Sequence, residues 1–202
     1  MDTSVESFEF AFFAPAGFYI ALRIGFAFPS EEHNAMPPRW IDRYTARGYM
    51  LYDPVIKWIY ENTGAARWSA TGLDDPRGIM AEARTYGLNF GVAVCCTDAS
   101  AAGQRSFGSF ARSDREFEDA EIRILTARME RLHSARRPPS NLTLAELEAL
   151  RMVKNGLLLK QIAAELGVSD GAVKQRLKNA RLKLNAKTGT QAASMATAYG
   201  LI

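Results

Sequence analysis

The sequence predicts an α+β protein of two domains, a mixed N-terminal domain over residues 1–134 and an all-α domain over residues 141–202, with a linker at 135–140. Three observations carry this. Charge is unevenly spread: residues 1–132 hold 14 Lys/Arg against 18 Asp/Glu, a net −4, and residues 133–202 hold 11 against 4, a net +7, within a 202-residue chain of net charge +3. The stretch Ala135-Arg136-Arg137-Pro138-Pro139-Ser140 places two prolines between the halves, and each lacks an N–H and biases its predecessor away from helix. Beyond it, apolar residues recur at helical spacing between clear caps. The composition, 48% hydrophobic and 23% charged, is that of an ordinary globular chain, and the length suffices for two cores.

In the N-terminal part, Phe18 to Phe28 is the first predicted strand. It has no acidic pair before it and no Asp at its end, so a phospho-receiver is not expected. Trp40 and Tyr44 stand four apart on a predicted helix and share a face. Asp53-Pro54-Val55 and Trp68 follow. Aromatic walls with a few fixed polar groups are what a pocket for a small amphipathic molecule needs. An indole N–H donates, a phenol donates or accepts, and a carboxylate accepts from an amide N–H. The same residues also describe a plain core with an Asp-Pro cap or turn, and the pattern alone leaves both open.

Cys95-Cys96 lie where a further strand should run. Adjacent cysteines rarely pair with each other, and no neighbouring His activates a thiolate, so both are expected as buried structural thiols in a reducing cytoplasm. Arg115 to Leu132 is a predicted helix with Phe117, Ala120, Ile124, Ala127 and Leu132 near one face. The longest apolar stretches, such as Phe10 to Ala16, fall far short of a membrane span, and Met1-Asp2-Thr3 opens without a basic n-region. Neither a membrane segment nor a secretory signal is expected. The only histidines are His33 and His133. With no His cluster and no Ser-His-Asp signature, no enzyme, metal site or cofactor is expected.

The C-terminal part opens on Thr143-Leu144-Ala145-Glu146, which fits a capping box. Its helix carries Leu147, Leu150 and Val153 on one side and stops near Asn155-Gly156. A short helix from Lys160 to Leu166 follows, then the turn Gly167-Val168-Ser169. A third helix runs from about Asp170 to Leu184, with Ala172, Val173, Leu177, Ala180 and Leu184 inward and Ser169 as its cap. A final helix spans Thr190 to Tyr199. A short helix, a glycine turn and a capped helix rich in Lys and Arg describe a helix-turn-helix, whose second helix fits the major groove while its cations neutralise phosphates. On pattern alone, a generic four-helix bundle with a basic face stays open.

Leu142-Thr143, Glu146, Glu148, Leu150, Gly156, Ile162-Ala163, Leu166-Gly167-Val168-Ser169, Val173-Lys174, Leu177 and Lys183-Leu184 together resemble the DNA-binding domain of LuxR-type transcription regulators. Leu158, Gly171-Ala172, Arg176 and Gly189 depart from that pattern at capping and phosphate-contact positions. The resemblance implies double-stranded DNA as partner, with Lys160, Ser169, Lys174, Gln175, Lys178 and Arg181 as candidate contacts.

Pro37, Trp40, Tyr44, Asp53-Pro54-Val55, Trp68, Gly87-Leu88, Gly91, Gly103 and Phe107-Gly108-Ser109-Phe110 are similar to the autoinducer-binding domain of LuxR-type quorum sensors. That resemblance implies an α-β-α sandwich with an N-acyl-homoserine lactone between sheet and helices. Trp40 would donate to the lactone carbonyl, Asp53 would accept from the amide N–H, Tyr44 and Ser109 would bond the acyl carbonyl, and Trp68 would wall the ring. Ile56, Leu73, Ile79 and Leu88 are candidates for the acyl lining. The expected protein is a cytoplasmic homodimer that reads a near-palindromic operator, with RNA polymerase a further candidate partner. Two rivals share the fold. In one, an orphan regulator fills its own pocket; Met36, where ligand-binding members commonly have an aromatic, and the few residues before the first strand favour it. In the other, the chain sequesters a related regulator as a heterodimer.

Overall fold

The computed structural model describes residues 9–24, 29–72, 74–98 and 104–202. They form two compact units, one of residues 9–24 and 31–136 and one of residues 137–202 together with the short stretch 29–30. Leu73, Gly103 and the end of the predicted first strand, residues 25–28, lie outside the described residues.

The first unit is built on a five-stranded antiparallel sheet in the order β2-β1-β5-β4-β3. The strands are β1 (Gly17–Ile24), β2 (Pro29–Asn34), β3 (Gly64–Arg67), β4 (Phe90–Thr97) and β5 (Arg105–Arg112). Side chains alternate across a strand, so each strand supplies two faces. On one face Phe18, Ile20 and Leu22 of β1, Val92, Val94 and Cys96 of β4 and Phe110 of β5 form a core with α1, described over residues 9–13, and α5 (Asp119–Ala135). Phe10 of α1 stacks on Phe110 at 5.4 Å between ring centroids.

The other face is covered by α2 (Pro38–Ala46), α3 (Pro54–Glu61), α4 (Ile79–Arg84) and two short 3-10 turns, Tyr49–Leu51 and Trp68–Ala70. The result is the expected α-β-α sandwich. Its floor on this side is made of small residues: Ala21 on β1, Gly91 and Ala93 on β4, Ser109 and Ala111 on β5.

The α5 helix differs from its sequence-based outline. Phe117 is buried before the helix starts, and Glu118 is the capping residue. Leu125, Met129 and Leu132 face the sheet, and Ile124 is largely exposed. Two neighbouring apolar stripes run along this helix, and the sheet selects the bulkier one. The carboxy end of α5 is tied down by a buried polar network. Arg23, held at φ +53°, donates from Nε to the His133 carbonyl at 2.8 Å and from a terminal guanidinium nitrogen to Asp98. The Arg23 N–H donates to Ser106 Oγ, which lies 2.7 Å from His133 Nδ1.

The second unit holds α6 (Leu144–Lys154), α7 (Leu159–Leu166), α8 (Asp170–Lys183) and α9 (Gly189–Ala198). Thr143 and Glu146 form the expected capping box, with the Thr143 N–H donating to Glu146 Oε2 at 2.8 Å. The buried Glu146 carboxylate also accepts from Lys183 Nζ at 2.8 Å, which joins α6 to α8. Gly167 closes α7 at φ +64°, a left-handed conformation that side chains rarely adopt. Ser169 Oγ then accepts the Ala172 N–H at 3.2 Å and starts α8. Inward on α8 are Val173, Ala180 and, at its end, Leu184; Ala172 and Leu177 are only partly buried.

Candidate functional site

Trp40 and Tyr44 do share a face of α2, and their rings pack edge-on with centroids 5.5 Å apart. Around them stand Tyr49 and Tyr86, with ring centroids 6.2 Å and 5.3 Å from Trp40. Sequence reasoning missed these two tyrosines, because their contact with Trp40 comes from turns elsewhere in the chain that no local period marks. Met36, Ile79, Ala83 and Leu88 complete this cluster.

Asp53 is the cap of α3, and its Oδ1 accepts from the Val55 N–H at 2.7 Å and the Ile56 N–H at 3.4 Å. Pro54, the first helical residue, lacks the N–H that would otherwise need a partner. The Tyr44 hydroxyl donates to Asp53 Oδ2 at 2.8 Å. Burial raises the Asp53 carboxyl above its ordinary range, and the three donated hydrogen bonds work against that rise. Burial, together with the Asp53 charge, pushes the Tyr44 phenol far above its usual value, so it stays a donor.

Tyr44 has one hydroxyl proton, and it goes to Asp53. The phenol therefore organises the carboxylate and does not stand as a free donor. Asp53 Oδ2 keeps a further lone pair to accept an N–H.

Trp68 follows directly on β3, whose Arg67 pairs with Val92 of β4. Its indole lies on Gly91. A Cβ at that position would meet Trp68 Cδ2 at 2.1 Å and Cε2 at 2.2 Å. Trp68 touches two apolar clusters at once, the Trp40 cluster and a second one of Ala21, Val55, Ile59, Ala93, Cys95 and Phe107. Ile56 and Met80 border the second cluster. Ser109 sits on β5 opposite Ala93, on the same face as Trp68. The structure therefore gathers Trp40, Tyr44, Asp53, Trp68 and Ser109 on one side of the sheet, with Ile56, Ile79 and Leu88. Trp68 Nε1 is buried with no hydrogen-bond partner among the described residues.

Cys95 lies on this face, 2.8 Å from an Arg105 guanidinium nitrogen, and Cys96 lies on the opposite one. Both are free and buried, and burial pushes the Cys96 thiol up to about 12.

In the second unit, Lys174, Gln175 and Lys178 are exposed on α8, and Lys160 is exposed in the first turn of α7. Gln175 donates to Asn179 Oδ1 at 2.8 Å, and Arg181 donates to the Lys187 carbonyl at 3.1 Å. Ser169 caps α8 through its oxygen lone pair, which leaves its own O–H to donate. Leu158 has no side-chain oxygen, and Gln161 instead reaches back to accept the Leu158 N–H at 2.8 Å.

Residues 25–136 match the family described as the autoinducer binding domain, and residues 140–196 match the bacterial regulatory proteins of the luxR family. The chain is similar to the transcriptional activator protein RaiR of Rhizobium etli, 32% identical over 171 residues, covering 77% of this chain and 70% of that protein. It is 28% identical over 184 residues to the quorum-sensing regulator RhlR of Pseudomonas aeruginosa, covering 86% and 76%. The fold is similar to the crystal structure of SdiA from Escherichia coli, with a TM-score of 0.56, 26% identity, and coverage of 100% of this chain and 93% of that one.

Proposed function

The chain belongs to the luxR-type bacterial regulators that carry an autoinducer-binding domain, and on that premise we propose that its signal is an N-acyl-homoserine lactone. The observation that carries the reading is the Tyr44–Asp53 pair: a buried carboxylate, oriented by a phenol and two backbone N–H groups, with acceptor capacity left on the apolar side of a sheet. An amide N–H satisfies it with a charge-assisted hydrogen bond. A plain fatty acid brings no such donor and leaves the buried carboxylate short of a partner, which costs about 1–3 kcal/mol. Trp40 donates to the lactone carbonyl and Ser109 to the acyl carbonyl. The small residues Ala21, Ala93 and Ala111 line the sheet floor on this side, and the Trp68 indole takes the place a side chain at Gly91 would need.

The signal acts by linkage. It fills the space between sheet and helices, stabilises the folded sensor and raises the population that binds DNA. The protein works as a homodimer in the bacterial cytoplasm. A two-fold axis presents two α8 helices about one DNA turn apart, so the operator is a near-palindrome. Lys174, Gln175 and Lys178 face the groove, with Lys160, Ser169 and Arg181 toward phosphates. RNA polymerase is a further partner of such a regulator.

Thermal unfolding with a panel of acyl-homoserine lactones tests this. A ligand at a hundred times its dissociation constant adds about 2.7 kcal/mol and raises Tm by several degrees. At the same ligand concentration the shift falls by about half or more in Asp53→Asn. A stable protein indifferent to the whole panel overturns the lactone assignment and favours the self-filled pocket, for which Met36 packed against the Trp40 cluster is the supporting observation.

A further inference from the structure

We infer that α8 selects an A·T base pair in each half-site through Gln175, and that Asn179 is the positioning residue that fixes how Gln175 reads it. This rests on α8 being the groove-facing helix, as proposed above, and is independent of the signal. Gln175 is the sixth of the fourteen residues of α8, in the amino-terminal half that reaches base edges in the major groove. Gly171, Lys174, Gln175 and Lys178 lie along an exposed stripe of that helix. The two lysines bring donors only. Gly171 brings no side chain, although a Cβ there would meet nothing nearer than Ser169 Oγ at 3.8 Å. Gln175 is then the group on the stripe whose side chain carries an acceptor.

A carboxamide by itself is ambivalent. Its oxygen and one N–H match adenine, which shows N7 as acceptor and N6–H as donor. Its two N–H groups turned forward instead meet guanine, which shows N7 and O6 as acceptors. The fold removes that choice. Gln175 Nε2 donates to Asn179 Oδ1 at 2.8 Å, about one helical turn on, and Asn179 is half-buried. One N–H is therefore spent inside the protein. One N–H and the carbonyl oxygen remain for the groove, and that is the adenine pattern. Against guanine the same edge sets the carbonyl oxygen against O6, with no proton between them. Thymine and cytosine each offer only one of the two partners.

Binding-site selection from a randomised duplex pool tests this, with the full-length protein alone and with octanoyl- or 3-oxododecanoyl-homoserine lactone. The wild-type site should show one A·T pair per half-site whose exchange for any other pair costs about tenfold in affinity. Gln175→Ala should flatten the preference at that pair and leave the other positions in place. Gln175→Glu, which can only accept, should move the preference toward cytosine, whose N4 donates. Asn179→Ala frees the second N–H, so discrimination of A over G at that pair should fall severalfold. Asn179→Asp still accepts from Gln175 and should keep that discrimination, with lower affinity for every sequence because its charge faces phosphates. These readouts are ratios within one variant, so they do not depend on how much of it is folded. A site profile unchanged in Gln175→Ala overturns the inference, as does A-over-G discrimination that Asn179→Ala leaves intact. A wild-type protein without sequence preference in all three conditions overturns it together with the operator reading.

Discussion

Asp53 shows how one residue is given two tasks. Its Oδ1 is spent on starting α3, and its Oδ2 on Tyr44 and, in the proposed complex, on a ligand N–H. Burial raises its folded pKa above the ordinary value, so the unliganded sensor loses stability as pH rises from that ordinary value through the raised one. A ligand N–H favours the ionised carboxylate and so binds best above the raised pKa. Lactone affinity should therefore weaken as pH falls through that range, as measured by titrations at a series of pH values. Asp53→Asn should bind at least tenfold more weakly, about 1.4 kcal/mol, and show a flat profile over the same range. The cap at Asp53 was legible in the Asp-Pro pair itself. Its bond to Tyr44 was not, because nine residues and the turn at Tyr49–Leu51 separate them.

At the scale of elements, β4 and the turn after β3 are matched as a pair. Gly91 exists as glycine because an indole occupies the place of its Cβ. Gly91→Ala should cost about 1–3 kcal/mol through overpacking and lower Tm by several degrees. In a Trp68→Ala background the same Gly91→Ala change should cost little, which differential scanning calorimetry of the two single variants and the double variant checks. On α8, Lys178 is exposed and carries no structural bond among the described residues. Lys178→Ala should leave Tm unchanged and reduce the slope of log affinity for DNA against log salt by about 1, which titrations at several ionic strengths read directly. The caps of α6 and α8 were legible in sequence because capping joins residues three apart. The facing of α5 was not, since the helix carries two apolar stripes and only the sheet chooses between them.

Over the whole molecule, the two units differ in what reports on them. All three tryptophans, Trp40, Trp58 and Trp68, lie before the change-over at Arg136. Tryptophan fluorescence therefore follows the sensor alone. Saturating lactone should shift the fluorescence-detected Tm of the full-length protein upward by several degrees and should blue-shift the emission as the half-buried Trp68 ring loses its remaining contact with water. The buried network of Arg23, Asp98, Ser106 and His133 gathers β1, β5, the loop after β4 and the last helix of the sensor. Four residues so far apart in the chain carry no common sequence signal, and His133 in particular stands in the sequence as one of two isolated histidines.

The sequence alone determined the class of the protein and the helix-turn-helix with its caps, and it singled out Trp40, Tyr44, Asp53, Trp68 and Ser109 as candidates. These rest on local signals: residues three or four apart, a proline, a glycine turn, a charge that changes sign along the chain. Only the tertiary structure decided which proton goes where. That Tyr44 is committed to Asp53, that Trp68 lies on Gly91 with its N–H unmatched, and that Ser109 shares its face are facts of packing between segments distant in the chain. Hydrogen-bond partnership is settled by position to within a few tenths of an ångström, and no spacing in a sequence specifies position across a sheet that closely.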